Sequence, residues 1–152
     1  MKTLIIFESV HHGNTERVAR AMGEELSARL VKPSDVSAGE LAQYDLIGFG
    51  SGIYFGRHHK NLRRFIARLP PMTKSAFVFS SCGANRNQNR RLIAALAKKG
   101  LSVKGDFFCP GFDTMGPFIL FGGLKRGRPD ARDLQAARTF AGRLAEQLAA
   151  AA

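Results

Sequence analysis

A chain of 152 residues with 45% hydrophobic content can bury about two-thirds of the surface its unfolded form exposes, which excludes a disordered polymer. No apolar run approaches the roughly 20 residues of a membrane-spanning helix, and Cys82 and Cys109 make neither a metal-ligand pattern nor a disulfide framework. The formal charge of +11 predicts attraction to anionic partners, but no zinc-finger spacing, helix-turn-helix signal or RNP aromatics accompany it to specify nucleic acid. These features predict a single domain over residues 1–152, without a metal centre, in a reducing cytoplasm.

The N-terminal charges lead straight into an apolar run, Leu4-Ile5-Ile6-Phe7, which predicts a strand over Thr3 to Glu8 buried on both faces. A helix follows from about Asn14 to Leu30, with Val18, Met22, Leu26 and Leu30 on one face. A short strand covers Leu30 to Lys32 and reaches Val36, with Pro33 making it an edge strand or a brief one. Leu46 to Gly50 forms a third strand, and Leu62, Phe65, Ile66 and Leu69 mark a helix that Pro70-Pro71 ends. Ala76 to Phe79 is the fourth strand, and Leu92, Ile93 and Leu96 mark a helix closed by Lys98-Lys99-Gly100. Val103 to Cys109 is the fifth strand. From Pro110 to Gly127 no period is visible, and a last helix starts near Asp130, with Asp133 three residues on. Strict alternation of strands and helices predicts an α/β fold, a parallel sheet covered on both faces.

Chemistry is concentrated in three loops at the carboxyl ends of the first, third and fourth strands. The first is Ser9-Val10-His11-His12-Gly13-Asn14-Thr15, a polar turn from strand to helix. Unpaired N–H groups at a helix N-terminus, with the dipole behind them, suit a phosphate. The loop lacks the Gly-Lys-Ser/Thr ending of a triphosphate-binding loop and the GxGxxG of a dinucleotide fold. Hydroxyl and amide donors without lysine suit a phosphate monoester. The second loop, Ser51-Gly52-Ile53-Tyr54-Phe55-Gly56, sets an aromatic pair among glycines. Tyr54 or Phe55 can supply a flat apolar face, and the alternative is that both are core residues at a strand end. The third is Ser80-Ser81-Cys82-Gly83-Ala84, in which Cys82 is either a thiol activated by the following arginines or a small packing residue in a turn.

Gly13-Asn14-Thr15-Glu16, after Ser9, resembles the phosphate loop of the flavodoxin family. His11 and His12 stand where that family carries hydroxyl residues. Cys82-Gly83 resembles the family's third loop, without the acidic residue and tyrosine that follow there. The stretch from Gly105 to Thr114, with Gly116-Pro117-Phe118 beyond it, resembles small prokaryotic flavodoxin-domain proteins.

The resemblance implies a three-layer flavodoxin-like fold with a five-stranded parallel sheet in the order 2-1-3-4-5. It also implies FMN as cofactor, held by Ser9, His11, His12, Gly13, Asn14, Thr15, Ser51, Gly52, Ile53, Tyr54, Phe55, Gly56, Ser81, Cys82, Gly83 and Ala84. Phe112 or Phe118 is the candidate to cover the flavin face left by the missing tyrosine. The leading functional expectation is electron transfer to a redox partner protein, acidic in view of the +11 charge. The alternatives are an FMN-dependent oxidoreductase acting on a quinone or porphyrinogen, and an anion-binding module without flavin.

Overall fold

The computed structural model describes residues 1–10, 12–83, 87–111, 120, 122–123 and 125–151. Its strands are β1 (Thr3–Glu8), β2 (Arg29–Val31), β3 (Leu46–Tyr54), β4 (Arg57–His58), β5 (Ser75–Cys82) and β6 (Ser102–Pro110). Its helices are α1 (Asn14–Leu26), α2 (Lys60–Arg68), α3 (Arg90–Lys98) and α4 (Ala131–Ala150). Five strands run parallel in the order β2-β1-β3-β5-β6. With the parallel strands alone counted, this is the expected order 2-1-3-4-5. The sixth strand, β4, has no counterpart in the sequence reading and pairs antiparallel with the end of β3.

Alternation along the strands divides the core into two layers. Leu4, Ile6, Ile47, Phe49 and Val78 face Leu62 and Ile66 of α2 and Leu92 and Leu96 of α3. Ile5, Phe7, Phe77 and Phe79 face Val18 and Met22 of α1 and Ala137 and Ala141 of α4. The glycines of β3 serve this packing. A Cβ at Gly48 would come within 2.3 Å of the Phe77 ring, and one at Gly50 within 2.2 Å of Phe79. Two phenyl rings lie over the strand, 6.1 Å apart and stacked, where side chains on β3 would otherwise stand.

Several boundaries differ from the sequence pattern: β2 ends at Val31 instead of reaching Val36, and β5 runs past Phe79 to Cys82. Helix α1 stops at Leu26, four residues before Leu30, because Ser27 takes a left-handed conformation (φ 48) and Ala28 N–H closes on Gly23 O at 2.9 Å. Leu30 then belongs to β2 and packs on Gly23, where a Cβ would lie 2.4 Å from its Cδ1. Strand β3 runs four residues past Gly50, because the antiparallel pairing with β4 carries it on to Tyr54. The start of α4 is as the sequence indicates. The Asp130 carboxylate accepts from the N–H groups of Arg132 and Asp133, and Asp133 returns the bond to Asp130 N–H at 2.8 Å.

Candidate functional site

The strand register aligns the ends of the sheet. Glu8 of β1 pairs with Ser51 of β3, Ser51 with Ser80 of β5, Gly52 with Ser81, and Ser81 with Cys109 of β6. The three loops therefore leave the same edge. β1 lies at the switch point, because β2 is on one side of it and the rest of the sheet on the other, and such a point opens a ligand crevice.

In the first loop, His12 (φ 56) and Gly13 (φ 65) are both left-handed, which turns the chain sharply into α1. Ser9 Oγ accepts from Glu16 N–H in the first helical turn at 3.3 Å. Thr15 Oγ1 and Ser81 Oγ share a hydrogen bond of 2.9 Å, a buried link between the first and third loops. The Asn14 amide lies against Gly111, where a Cβ would come 2.9 Å from Nδ2. Gly111 N–H donates to Cys82 O at 3.0 Å. Asn14, Thr15, Ser81 and Gly83 are buried, Ser9, Gly13 and Cys82 half-buried, and His12 exposed. His11 and Ala84 lie outside the described residues, as do Phe112 and Phe118.

The second loop is a hairpin. Tyr54 pairs with Arg57 and Ile53 with His58 across the two-residue turn Phe55-Gly56. Both turn residues have positive φ, 49 at Phe55 and 74 at Gly56, as a type I′ turn requires. Such turns favour Asn and Gly, and a phenylalanine there is strained by about 1–2 kcal/mol. Phe55 is also 92% exposed, the most exposed of the large hydrophobic residues among those described. With Val10 of the first loop, Tyr54 and His59, it borders a cavity of about 380 Å³. Tyr54 stands edge-on to His59, with ring centroids 5.4 Å apart.

Beneath the hairpin lies a buried polar relay that joins four segments. His58 Nδ1 is 2.9 Å from Ser51 Oγ, and His58 Nε2 is 3.0 Å from Asn89 Oδ1. The Asn89 amide nitrogen donates to Asp106 Oδ2 and to Phe107 O, each at 3.0 Å, so its oxygen faces the histidine. His58 then carries its proton on Nε2, and its Nδ1 accepts from the Ser51 hydroxyl. Ser51 Oγ in turn accepts from His59 N–H at 2.9 Å, and Gly52 O at 2.8 Å is the hydroxyl's alternative acceptor. Ser51 thus braces the hairpin from inside. No sequence signal marks the relay, because Ser51, His58, Asn89 and Asp106 meet only through tertiary pairing.

Burial pushes the His58 pKa down to about 4; the Arg63 charge adds to the lowering and the Asn89 hydrogen bond opposes it. His58 is therefore uncharged at neutral pH and adds nothing to the basic surface. Folding favours the neutral ring, so its contribution to stability is complete above the unfolded value of about 6.5. It is lost as pH falls from there toward 4. The change to about 4 is worth about 3 kcal/mol. Unfolding free energies from urea melts are expected to drop over that interval by this amount, and His58→Gln is expected to remove that part of the slope. An unchanged slope in the variant would assign the acid sensitivity elsewhere.

The two cysteines differ. The Cys109 thiol is buried and pushed up to about 12, chiefly by burial, which leaves it unreactive. Cys82 is half-buried and accepts from Gln88 Nε2 at 3.6 Å.

Residues 4–111 match the family described as Flavodoxin domain, a span that contains all three loops. The chain belongs to the flavodoxin-domain family. An uncharacterised protein of Methanocaldococcus jannaschii is 42% identical over 144 residues, covering 93% of this chain and 96% of that one. A flavodoxin from the domain Archaea superposes with a TM-score of 0.74 at 18% identity, over 97% of this chain and 98% of that one. Oxidised flavodoxin 2 from Bacillus cereus gives 0.74 at 22% identity, over 97% and 99%. These two structural likenesses concern the fold. Among the described residues of this flavodoxin-domain protein, no helix is long and apolar enough to cross a membrane.

Proposed function

We propose that this chain binds FMN across the carboxyl ends of β1, β3 and β5 and transfers electrons to an acidic protein partner. The observation that carries the reading is the register that sets the three loops side by side at the switch point. The donor set fits the cofactor. The N-terminus of α1, with Ser9, Asn14 and Thr15, suits the phosphate, and Phe55 at a strained, exposed tip suits the ring. Bound FMN supplies the one- and two-electron chemistry. The protein's own work is to anchor the phosphate, hold the hairpin in place through Ser51 and His58, and cover a ring face with an aromatic side chain.

Phe55→Asn tests the hairpin. It relieves the left-handed strain and is expected to raise folding stability by about 1 kcal/mol. The same change removes an apolar face and is expected to weaken FMN binding by about 1–3 kcal/mol. Urea melts of the flavin-free chain and titrations of flavin fluorescence measure the two effects separately. Unaltered affinity would remove Phe55 from the ring site and leave Tyr54 as the stacking candidate.

A second reading, an FMN-dependent oxidoreductase acting on a small substrate, draws on the 380 Å³ cavity beside the hairpin. Turnover with a quinone and no protein partner distinguishes the two.

A further inference from the structure

A larger cavity lies outside the loop crevice. The groove between α2 and α3 encloses about 460 Å³, within the range of small-molecule sites. Ile66, Leu92 and Ala95 line it as an apolar floor. Its described lining contains no carboxylate, but includes Arg57, Arg63, Arg91, Lys98 and Lys99.

Two of these cations are already engaged. Arg63 Nε donates to His58 O at 2.9 Å and closes one end, and Lys99 Nζ donates to Ala67 O at 2.8 Å and closes the other. Among the described residues, Arg57, Arg91 and Lys98 have no acidic partner within ion-pair distance. Arg57 and Arg91 sit at the end where α3 begins, and its dipole adds positive potential there. An apolar floor flanked by uncompensated cations, two of them arginines at one mouth, complements a molecule that has an apolar body and an anionic head.

We propose that the α2–α3 groove is a second binding site, for a small amphipathic carboxylate. The head meets Arg57 and Arg91, and the chain lies over Ile66, Leu92 and Ala95 toward Lys98. The nine residues of α2 give the trough a length of about 13 Å, which accommodates a medium-length acyl chain. The groove shares Arg57, His58 and Arg63 with the cavity beside the hairpin, but no residue of the first or third loop lines it.

Calorimetric titration with dodecanoate, below its micelle concentration, tests the proposal on the full chain with and without FMN. Saturable binding at one site is expected in both. Dodecanol, which lacks the charge, is expected to bind at least tenfold more weakly. Arg91→Glu, a change at an exposed position, is expected to weaken dodecanoate at least tenfold. Ala95→Trp, which fills the floor, is expected to abolish binding. Circular dichroism checks that both variants fold. Equal binding of dodecanol, undiminished binding to either folded variant, or no saturable binding at all would each overturn the site. Binding to phosphatidylglycerol vesicles without saturable dodecanoate binding would also overturn it and identify a membrane-facing surface instead.

Discussion

Replacing Asn14 and Thr15 together by alanine is expected to weaken FMN binding by about 3–6 kcal/mol, the loss of two hydrogen bonds to a charged phosphate. The structure makes a control necessary, because Thr15 also bonds Ser81 at 2.9 Å and Asn14 packs against Gly111. A double variant that merely loosened the loop would bind every flavin less well. Riboflavin separates the cases, since it has the ring but no phosphate. The wild type should prefer FMN strongly, and the double variant should lose most of that preference while its affinity for riboflavin changes little. Ser81→Ala is expected to produce a smaller loss, because it removes only the group that orients the Thr15 hydroxyl. If the ratio of FMN to riboflavin affinity is the same in the double variant as in the wild type, the phosphate is held elsewhere.

The parts of this molecule legible in the sequence are those set by local pattern. The continuous apolar runs at Leu4–Phe7 and Ala76–Phe79 became central strands, and Asp130 with Asp133 became a capping box. The parallel sheet followed from alternation, its order from the family resemblance, and Gly13-Asn14-Thr15 lies where the loop was expected, at the entry to α1. The second loop was legible only as a glycine-flanked aromatic pair. Its hairpin depends on Phe55 adopting a positive φ, which no propensity favours at a phenylalanine. The polar relay was invisible because Ser51 and His58 meet across a turn, while Asn89 and Asp106 arrive from α3's approach and β6. His58 and His59 look alike in sequence. Pairing with β3 buries His58, while His59 caps α2 and accepts from Asn61 N–H at 3.2 Å. The α2–α3 groove was hidden for a similar reason. Its floor residues repeat at helical spacing, and the same spacing describes any buried face.

The basic surface distinguishes a carrier from an oxidoreductase. Lys60 and Arg90 are the first residues of α2 and α3 and are exposed, and Arg57 is exposed beside the hairpin turn. All three stand at the end of the sheet where electrons would leave the bound flavin, in a chain of formal charge +11. Such a rim steers an acidic partner and accelerates encounter by about 10-fold to 10³-fold at low salt, more than it strengthens the final complex. With the flavin site saturated, electron transfer to an acidic redox protein is expected to slow at least tenfold as salt rises from about 0.01 M to 0.1 M, as the Debye length falls from about 30 Å to 10 Å. Lys60→Glu combined with Arg90→Glu should slow the low-salt rate and flatten the salt profile. His58→Gln should leave the profile as it is, because the His58 ring is already uncharged. An oxidoreductase acting on an uncharged quinone needs no steering, so its rate would be indifferent to salt and to both rim substitutions. Stopped-flow rates across that salt range decide the matter: a flat profile, together with multiple turnovers on the quinone alone, would remove the carrier reading and leave the oxidoreductase.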